Sequence, residues 1–160
     1  MNDPPDDFVA AFATLASIAH RVAFRILGDR SDAEDVAQEA LARALVRWRR
    51  VAPYAEPWTA TTASNLAIGI WRRRGRPLPA PPHPPAEHDT RVTDRLELVR
   101  LLGDLPRRQR DVIVLRYLAD LPEAAVATAL GCSVGSVKRH AHRGLAALRL
   151  AVDPNVNGAP

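Results

Sequence analysis

Between Gly75 and Val92 the chain reads RPLPAPPHPPAEHDTR, a run that carries six prolines. Proline lacks the amide donor and its ring clashes with the preceding turn, so no helix passes through this stretch. It reads as an extended, polyproline-like linker. Whatever folds must fold on either side of it, as two small pieces. The boundaries read as a first domain at 1–75, a linker at 76–93, a second domain at 94–150 and a turn-rich, disordered tail at 151–160. His83 and His88 lie in the linker with no cysteine partner and no helical spacing, and read as linker residues, not as metal ligands.

Both pieces carry helical periodicity, and strands find no support because β-branched alternation is missing. Asp6 and Asp7 are expected to cap a first helix whose apolar stripe is Phe8, Phe12, Leu15, Ala19, Val22 and Ile26, ended by Gly28. Ser31-Asp32-Ala33-Glu34 reads as a capping box. It starts a helix with Ala33, Val36, Ala37, Ala40, Leu41, Ala44, Leu45 and Trp48 on its apolar face, and Glu34, Asp35, Gln38, Glu39 and Arg43 outside it. That polar face is either simply solvated or a docking surface for a basic partner. A loop marked by Pro53 and Pro57 follows, then a helix from Pro57 through Trp71. This helix is rich in poor helix formers (Thr59, Thr61, Thr62 and a central Asn65) and ends in Trp71-Arg72-Arg73-Arg74. Tryptophans among arginines suit single-stranded nucleic acid, because bases stack on rings while guanidinium groups hold phosphates. The plainer reading is two core tryptophans and a solvated helix end.

Beyond the linker, Leu98, Leu101, Leu102 and Leu105 restore the helical period, and Pro106 opens a segment with Val112, Ile113, Leu115, Tyr117 and Leu118. Pro122–Leu130 and the stretch GCSVGSVKRHAHRGLAALR then form a helix, a tight glycine turn and a second helix. Ser133 is placed to cap that second helix, with Val134, Val137, Ala141, Leu145 and Leu148 on one face and Lys138, Arg139, His142 and Arg143 on the other. A greasy back and a cationic front behind a tight turn is the pattern of a DNA recognition helix. Residues 1–50 are near neutral, with seven Arg against eight Asp and Glu, whereas 107–149 hold eight Lys and Arg against Asp111, Asp120 and Glu123. Basic excess is therefore concentrated where the recognition pattern lies. The single cysteine, Cys132, excludes an internal disulfide and fits a reducing cytosol. No signal peptide and no apolar run long enough to span a bilayer is expected. No P-loop, metal spacing or nucleophile triad appears, and His140 and His142 are two apart and cannot chelate together, so neither an enzyme nor a cofactor is expected.

Three stretches in order carry a resemblance: ILGDRS followed by DAEDVAQEALARAL (Asp32–Leu45), PWTATTASN running into WRRR (Pro57–Arg74), and LGDLPRRQRDVIVLRYLADL through GCSVGSVKRHAHRGLAALR (Leu102–Arg149). Together they resemble regions 2 and 4 of the extracytoplasmic-function (ECF, group IV) RNA polymerase sigma factors. The resemblance implies an all-α chain of two small helical domains, a region 2 bundle and a region 4 helix-turn-helix, joined by the proline-rich linker. It implies a cytoplasmic subunit that binds core RNA polymerase (β′ clamp helices and β flap) and promoter DNA, without membrane insertion, and that an anti-sigma factor can hold inactive. By this resemblance Asp35, Gln38 and Glu39 would bind core polymerase. Asn65 would line a pocket for a base flipped from the −10 element, closed by the Val51–Glu56 loop, and Trp58, Arg72, Arg73 and Arg74 would hold the melted strand. Ser136, Lys138, Arg139, His142 and Arg143 would meet the −35 element. Stretched to roughly 3.1 Å per residue, eighteen linker residues reach about 55 Å, or about sixteen base-pair steps. The chain departs from the family pattern at Thr61–Thr62, where a bulkier residue is common, and at Pro122 and Ala125, where a polar cap and a glutamate are usual. The competing reading is a free-standing helix-turn-helix regulator that binds its operator without polymerase.

Overall fold

A computed structural model describes residues 4–74 and 97–152, residue 152 by its backbone alone. The expected linker and most of the expected tail lie outside these residues. Among the described residues all regular structure is helical. The first half holds α1 (Asp6–Leu27), α2 (Arg30–Val46), a short α3 (Trp48–Val51), a 3-10 turn (Ala52–Tyr54) and α4 (Ala55–Arg73). The second holds α5 (97–104), α6 (Arg107–Ile113) continued by a π-helical segment (Val114–Leu118), α7 (Glu123–Leu130) and α8 (Val134–Val152).

Helix α1 packs along both α2 and α4, and their contact is built largely of alanine: Ala19, Ala23, Ala33, Ala37, Ala40, Ala60, Ala63 and Ala67 are all buried. Gly28, at φ 71°, ends α1, and its N–H donates to Phe24 O as a left-handed cap requires. Several local expectations shift. Pro5, not an aspartate, stands at the N-cap of α1, and Asp6 and Asp7 lie inside its first turn. Phe12 is exposed while Ile18 and Ala23 are buried, because α2 and α4 cover that side of α1 and no helix covers Phe12. The capping box is not formed. Asp29 sits in extended backbone after Gly28 and its carboxylate accepts the Asp32 N–H at 2.9 Å, so Ser31 is already helical and Glu34 instead accepts from Arg30. Leu45 is exposed, and Trp48 belongs to α3, where it packs edge-on against Phe8 with centroids 5.0 Å apart. Helix α4 starts at Ala55, which leaves Pro57 in its first turn, where an amide has no intrahelical partner to lose. By length and composition α1 is apolar enough to cross a bilayer, contrary to the expectation that no such run exists; its apolar stripe is spent instead on α2 and α4.

In the second half, α7 and α8 meet through a Schellman turn. Gly131, at φ 63°, donates to Thr128 O while Cys132 N–H reaches Ala127 O at 3.0 Å. Ser133 then caps α8 by accepting the Ser136 N–H at 3.1 Å. Pro122 occupies the N-cap of α7 in extended backbone, so that helix forms although the usual polar cap is missing. Of the expected stripe on α8, Val137 and Ala141 are buried and Leu145 and Leu148 pack on Leu102, Leu105 and Ile113, but Val134 is exposed at the open end of the turn. Gly144 lets α8 approach α6 closely: a Cβ there would lie 2.9 Å from Ile113 Cγ1.

The two halves are not separate in space. One apolar cluster runs from Ile18, Val22 and Ala67 into Val112, Val114, Leu115 and Val126. Helices α1 and α4 both rest on the π segment, and α4 also meets α7.

Two predictions follow from this packing. Gly144→Ala gains about 1 kcal/mol of helix propensity but overpacks a fully enclosed Ile113, a cost of about 1–3 kcal/mol. The net effect should be a loss of stability in urea denaturation, and Ile113→Ala, which removes the clashing Cγ1, should cost less in the Gly144→Ala chain than in the parent. Burial pushes the Asp111 carboxyl up, only partly countered by Arg107, Arg110 and Arg108. A raised native value means the folded state holds the proton more tightly, so stability from this group is full below about pH 3.9 and falls as pH rises through the native value. Asp111→Asn should therefore be more stable than the parent at pH 7, with the gap closing as pH is lowered toward about 4.

Candidate nucleic-acid interface

The outer face of α8 is a row of polar and cationic side chains held by the buried Val137 and Ala141 behind it. Ser133 and Ser136 hydroxyls are 3.0 Å apart, and Arg139 Nη2 donates to Ser136 Oγ at 3.1 Å, so the capping serine, Ser136 and Arg139 form one rung. Lys138 Nζ lies 3.8 Å from Glu123 Oε2 on α7, and the other Glu123 oxygen lies 3.8 Å from Arg116. Lys138, Arg139, His142 and Arg143 are exposed, and Ser136 is half-buried. At about 1.5 Å per residue, positions 136–143 span about 11 Å, enough for roughly three base steps in a major groove. All five side chains expected to read DNA here share this face.

A second cationic feature lies between α2 and α4. A cavity of about 510 Å³ is lined by Arg43, Arg47, Trp58, Thr62, Asn65, Leu66, Gly69 and Arg73. It brings Asn65, expected to line a base pocket, together with two of the four expected strand-holding residues, Trp58 and Arg73. The other two are engaged elsewhere. Arg72 Nη2 donates to Gly103 O at 3.3 Å, and Arg74 makes a bidentate pair with Asp32 at 2.5 and 2.7 Å. That hydrogen-bonded guanidinium holds the Asp32 carboxyl below the usual carboxylate range. Trp71 packs against the apolar core, the plainer of its two readings.

Arg43 and Arg47 also line the cavity, with no role given them by the resemblance; Arg43 lies in the last turn of α2 and Arg47 is its C-cap, four positions on. The Val51–Glu56 segment does not close this cavity. It is helical for most of its length, Val51 and Ala55 are buried beside Phe8 and Trp48, and none of its residues lines the wall around Asn65. Of the two departure positions, Thr62 lines this cavity and Thr61 does not.

The acidic side of α2 faces outward. Asp35, Gln38 and Glu39 are exposed opposite the buried Val36, Ala37 and Ala40. Glu39 accepts from Arg43 Nε at 2.6 Å, which joins the acidic face to the rim of the cavity. Among the described residues no group of His, Cys, Asp and Glu is arranged to hold a metal ion.

The halves that carry these surfaces match two family descriptions: Sigma-70 region 2 over residues 11–77 and Sigma-70, region 4 over residues 95–148. The chain is 36% identical over 135 residues to the RNA polymerase sigma-E factor of Streptomyces coelicolor, covering 81% of this chain and 76% of that protein. It is 32% identical over 152 residues to the ECF RNA polymerase sigma factor SigL of Mycobacterium tuberculosis, covering 86% and 84%. In fold it is similar to the sigma factor RpoE, solved in complex with the anti-sigma factor NepR from Bartonella quintana. That likeness has a TM-score of 0.54 at 20% identity and covers 96% of this chain and 99% of that one. A chain helical in its described residues, with a region 2 bundle, a region 4 helix-turn-helix and relatives of this similarity over most of their length, belongs to the ECF RNA polymerase sigma factors.

Proposed function

We propose that this chain binds core RNA polymerase through Asp35, Gln38 and Glu39 and directs initiation at promoters whose −35 element is read by α8 and whose −10 element is melted over α4. The observation that carries the reading is the cavity between α2 and α4, where an amide, an indole and three guanidinium groups converge. Asn65 offers both donors and acceptors to a base edge, Trp58 offers a stacking face, and Arg43, Arg47 and Arg73 offer phosphate contacts. Extruding a base costs a few kcal/mol, which strand contacts of this kind and polymerase docking offset. On α8, Arg139 and Arg143 are the side chains suited to bidentate base contacts, with Ser136, Lys138 and His142 beside them. The domains would then divide as 1–75 for polymerase and the −10 element and 94–150 for the −35 element, joined through 76–93.

This work is done on chromosomal DNA with polymerase, which places the chain in the cytoplasm as a non-enzymatic subunit. Its RpoE neighbour was solved with an anti-sigma factor, and a partner of that class is the inhibitor this chain would meet. A free-standing helix-turn-helix regulator leaves the acidic face of α2 and the Asn65 cavity without a task. Reconstitution with core polymerase and sequencing of transcript starts separates the two readings. Promoter-specific starts that need the chain support the first, and a tight footprint without polymerase supports the second.

Asn65→Ala should leave core binding intact in a pull-down and reduce open-complex formation read by permanganate footprinting; wild-type opening would remove Asn65 from the base pocket. Arg139→Ala and Arg143→Ala should each weaken upstream promoter binding by about 1–3 kcal/mol at fixed salt and relax selectivity at one position. A uniform loss across all sequences would reassign that arginine to phosphate contact.

A further inference from the structure

Between the start of α4 and α6 lies a cavity of about 410 Å³, a volume in the range of small-molecule sites. Tyr54, Trp58 and Thr61 line it from one side, and Arg107, Arg108 and Asp111 from the other. Trp58 also lines the Asn65 cavity; the other five have no task in the promoter contacts proposed above. Asp111 is 7% exposed, a depth at which a carboxylate normally has hydrogen-bond donors around it. Among the described residues none hydrogen-bonds to it. Its one ion-pair partner, Arg107 Nε, lies 3.8 Å from Oδ2, beyond hydrogen-bond reach. A desolvated acid of this kind, set in a cleft with aromatic and cationic neighbours, marks a candidate binding site.

The chemistry of the lining selects the ligand. An ionised carboxylate only accepts, through two oxygens side by side. Among the common nucleobases, guanine alone presents two adjacent donors on its pairing edge, N1–H and N2–H. Adenine and cytosine set a donor beside an acceptor, and uracil and thymine set one donor between two acceptors. Tyr54 and Trp58 are half-buried, and their rings offer faces on which a purine stacks. Arg107 and Arg108 stand about 5–6 Å nearer the start of α6 than Asp111, and both are exposed. A phosphate can therefore reach them while the base meets Asp111. Arg108 Nη1 donates to Leu130 O at 2.9 Å, and Leu130 also lines the cavity, so this guanidinium is fixed at its rim.

We propose that this cavity binds a free guanine nucleotide with one or two phosphates. Asp111 accepts N1–H and N2–H, Tyr54 or Trp58 stacks on the purine, and Arg107 and Arg108 hold the phosphates. The lining contains two cations, which suits a short phosphate tail and not the longer cationic track that a strand requires. This site is independent of the strand-holding role proposed for Trp58, because base selection lies with Asp111.

Calorimetric titration of the full chain with GDP, ADP and xanthosine diphosphate tests the proposal. GDP should bind about tenfold or more tighter than either of the others, the discrimination of one good bidentate pair. Asp111→Asn is the deciding variant, because its amide sets a donor beside an acceptor and so complements xanthine, whose N1–H lies beside the O2 acceptor. It should weaken GDP about tenfold or more and strengthen xanthosine diphosphate until the order reverses, a switch that no loss of folding produces. Arg107→Gln should weaken GDP and leave guanosine unchanged. A parent chain that does not prefer GDP to ADP overturns the proposal, and so does GDP affinity untouched by Asp111→Asn. Equal losses of GDP and guanosine in Arg107→Gln overturn the phosphate contact. An oligothymidine strand with one central guanine, titrated alongside, separates the two sources of the base. If the strand binds in an Asp111-dependent way and GDP does not bind, the guanine belongs to DNA and the free nucleotide is overturned as ligand.

Discussion

Alanine sets the spacing of the first half. Where α1, α2 and α4 meet, the buried positions are mostly Ala, with Val22, Val36, Ile18, Ile26 and Ile68 as the larger exceptions. Interaxial distance follows the size of the side chains at the contact, so an alanine seam brings helices close. The rest of the region 2 architecture depends on that closeness. It places the last turn of α2 beside the middle of α4, so that Arg43 and Arg47 share a cavity with Asn65 and Arg73. It also leaves little room for compensation, because an interior packed to crystal-like density does not absorb even one added methyl without displacement. The bulk that would stabilise a small domain is placed elsewhere, in the second cluster of Phe8, Leu15, Leu41 and Trp48 and in the leucines around α5.

Arginine is the second organising residue, and it serves three kinds of partner. On α8 it is presented to solvent, where any polyanion meets it first. At the α2–α4 cavity it is held by local acids: Arg43 by Glu39, and Arg74, beyond the rim, by Asp32. At the junction of the halves it caps backbone carbonyls. Exposed ion pairs are weak, so those with Glu39 and Asp32 do not commit their arginines irreversibly. A phosphate in the right place competes with either of them.

Much of this was legible in the sequence, and the reasons are local. Gly28 and Gly131 end helices because only their backbones take the left-handed turn cheaply, and the turn residues around Ser133 cap α8 through atoms two or three positions away. The basic face of α8 follows from a period of 3.6 alone. What went astray had tertiary causes or turned on competition between nearby caps. Asp29 displaced Ser31 because the turn at Gly28 had already put Asp29 in extended backbone. Phe12 and Val134 lie on apolar stripes yet stay exposed, because no neighbouring helix covers them. The lid expected from 51–56 became helical and joined a core cluster.

Sequence by itself determined that this chain's described residues are helical, that one helix carries a cationic face and that the order of its motifs is that of an ECF sigma factor. Each of these depends on residues close together in the chain, whose hydrogen bonds and steric limits act over one or two turns. Tertiary structure decided which side chains meet: Arg43 and Arg47 with Asn65, Arg72 with Gly103, and Arg21 and Arg25 with the end of a helix nearly a hundred residues away. Periodicity states which face of a helix is apolar, but not which other face will cover it. That choice belongs to the packing of whole helices, where the burial of Leu115 and Val114 against the first half outweighs any single polar preference.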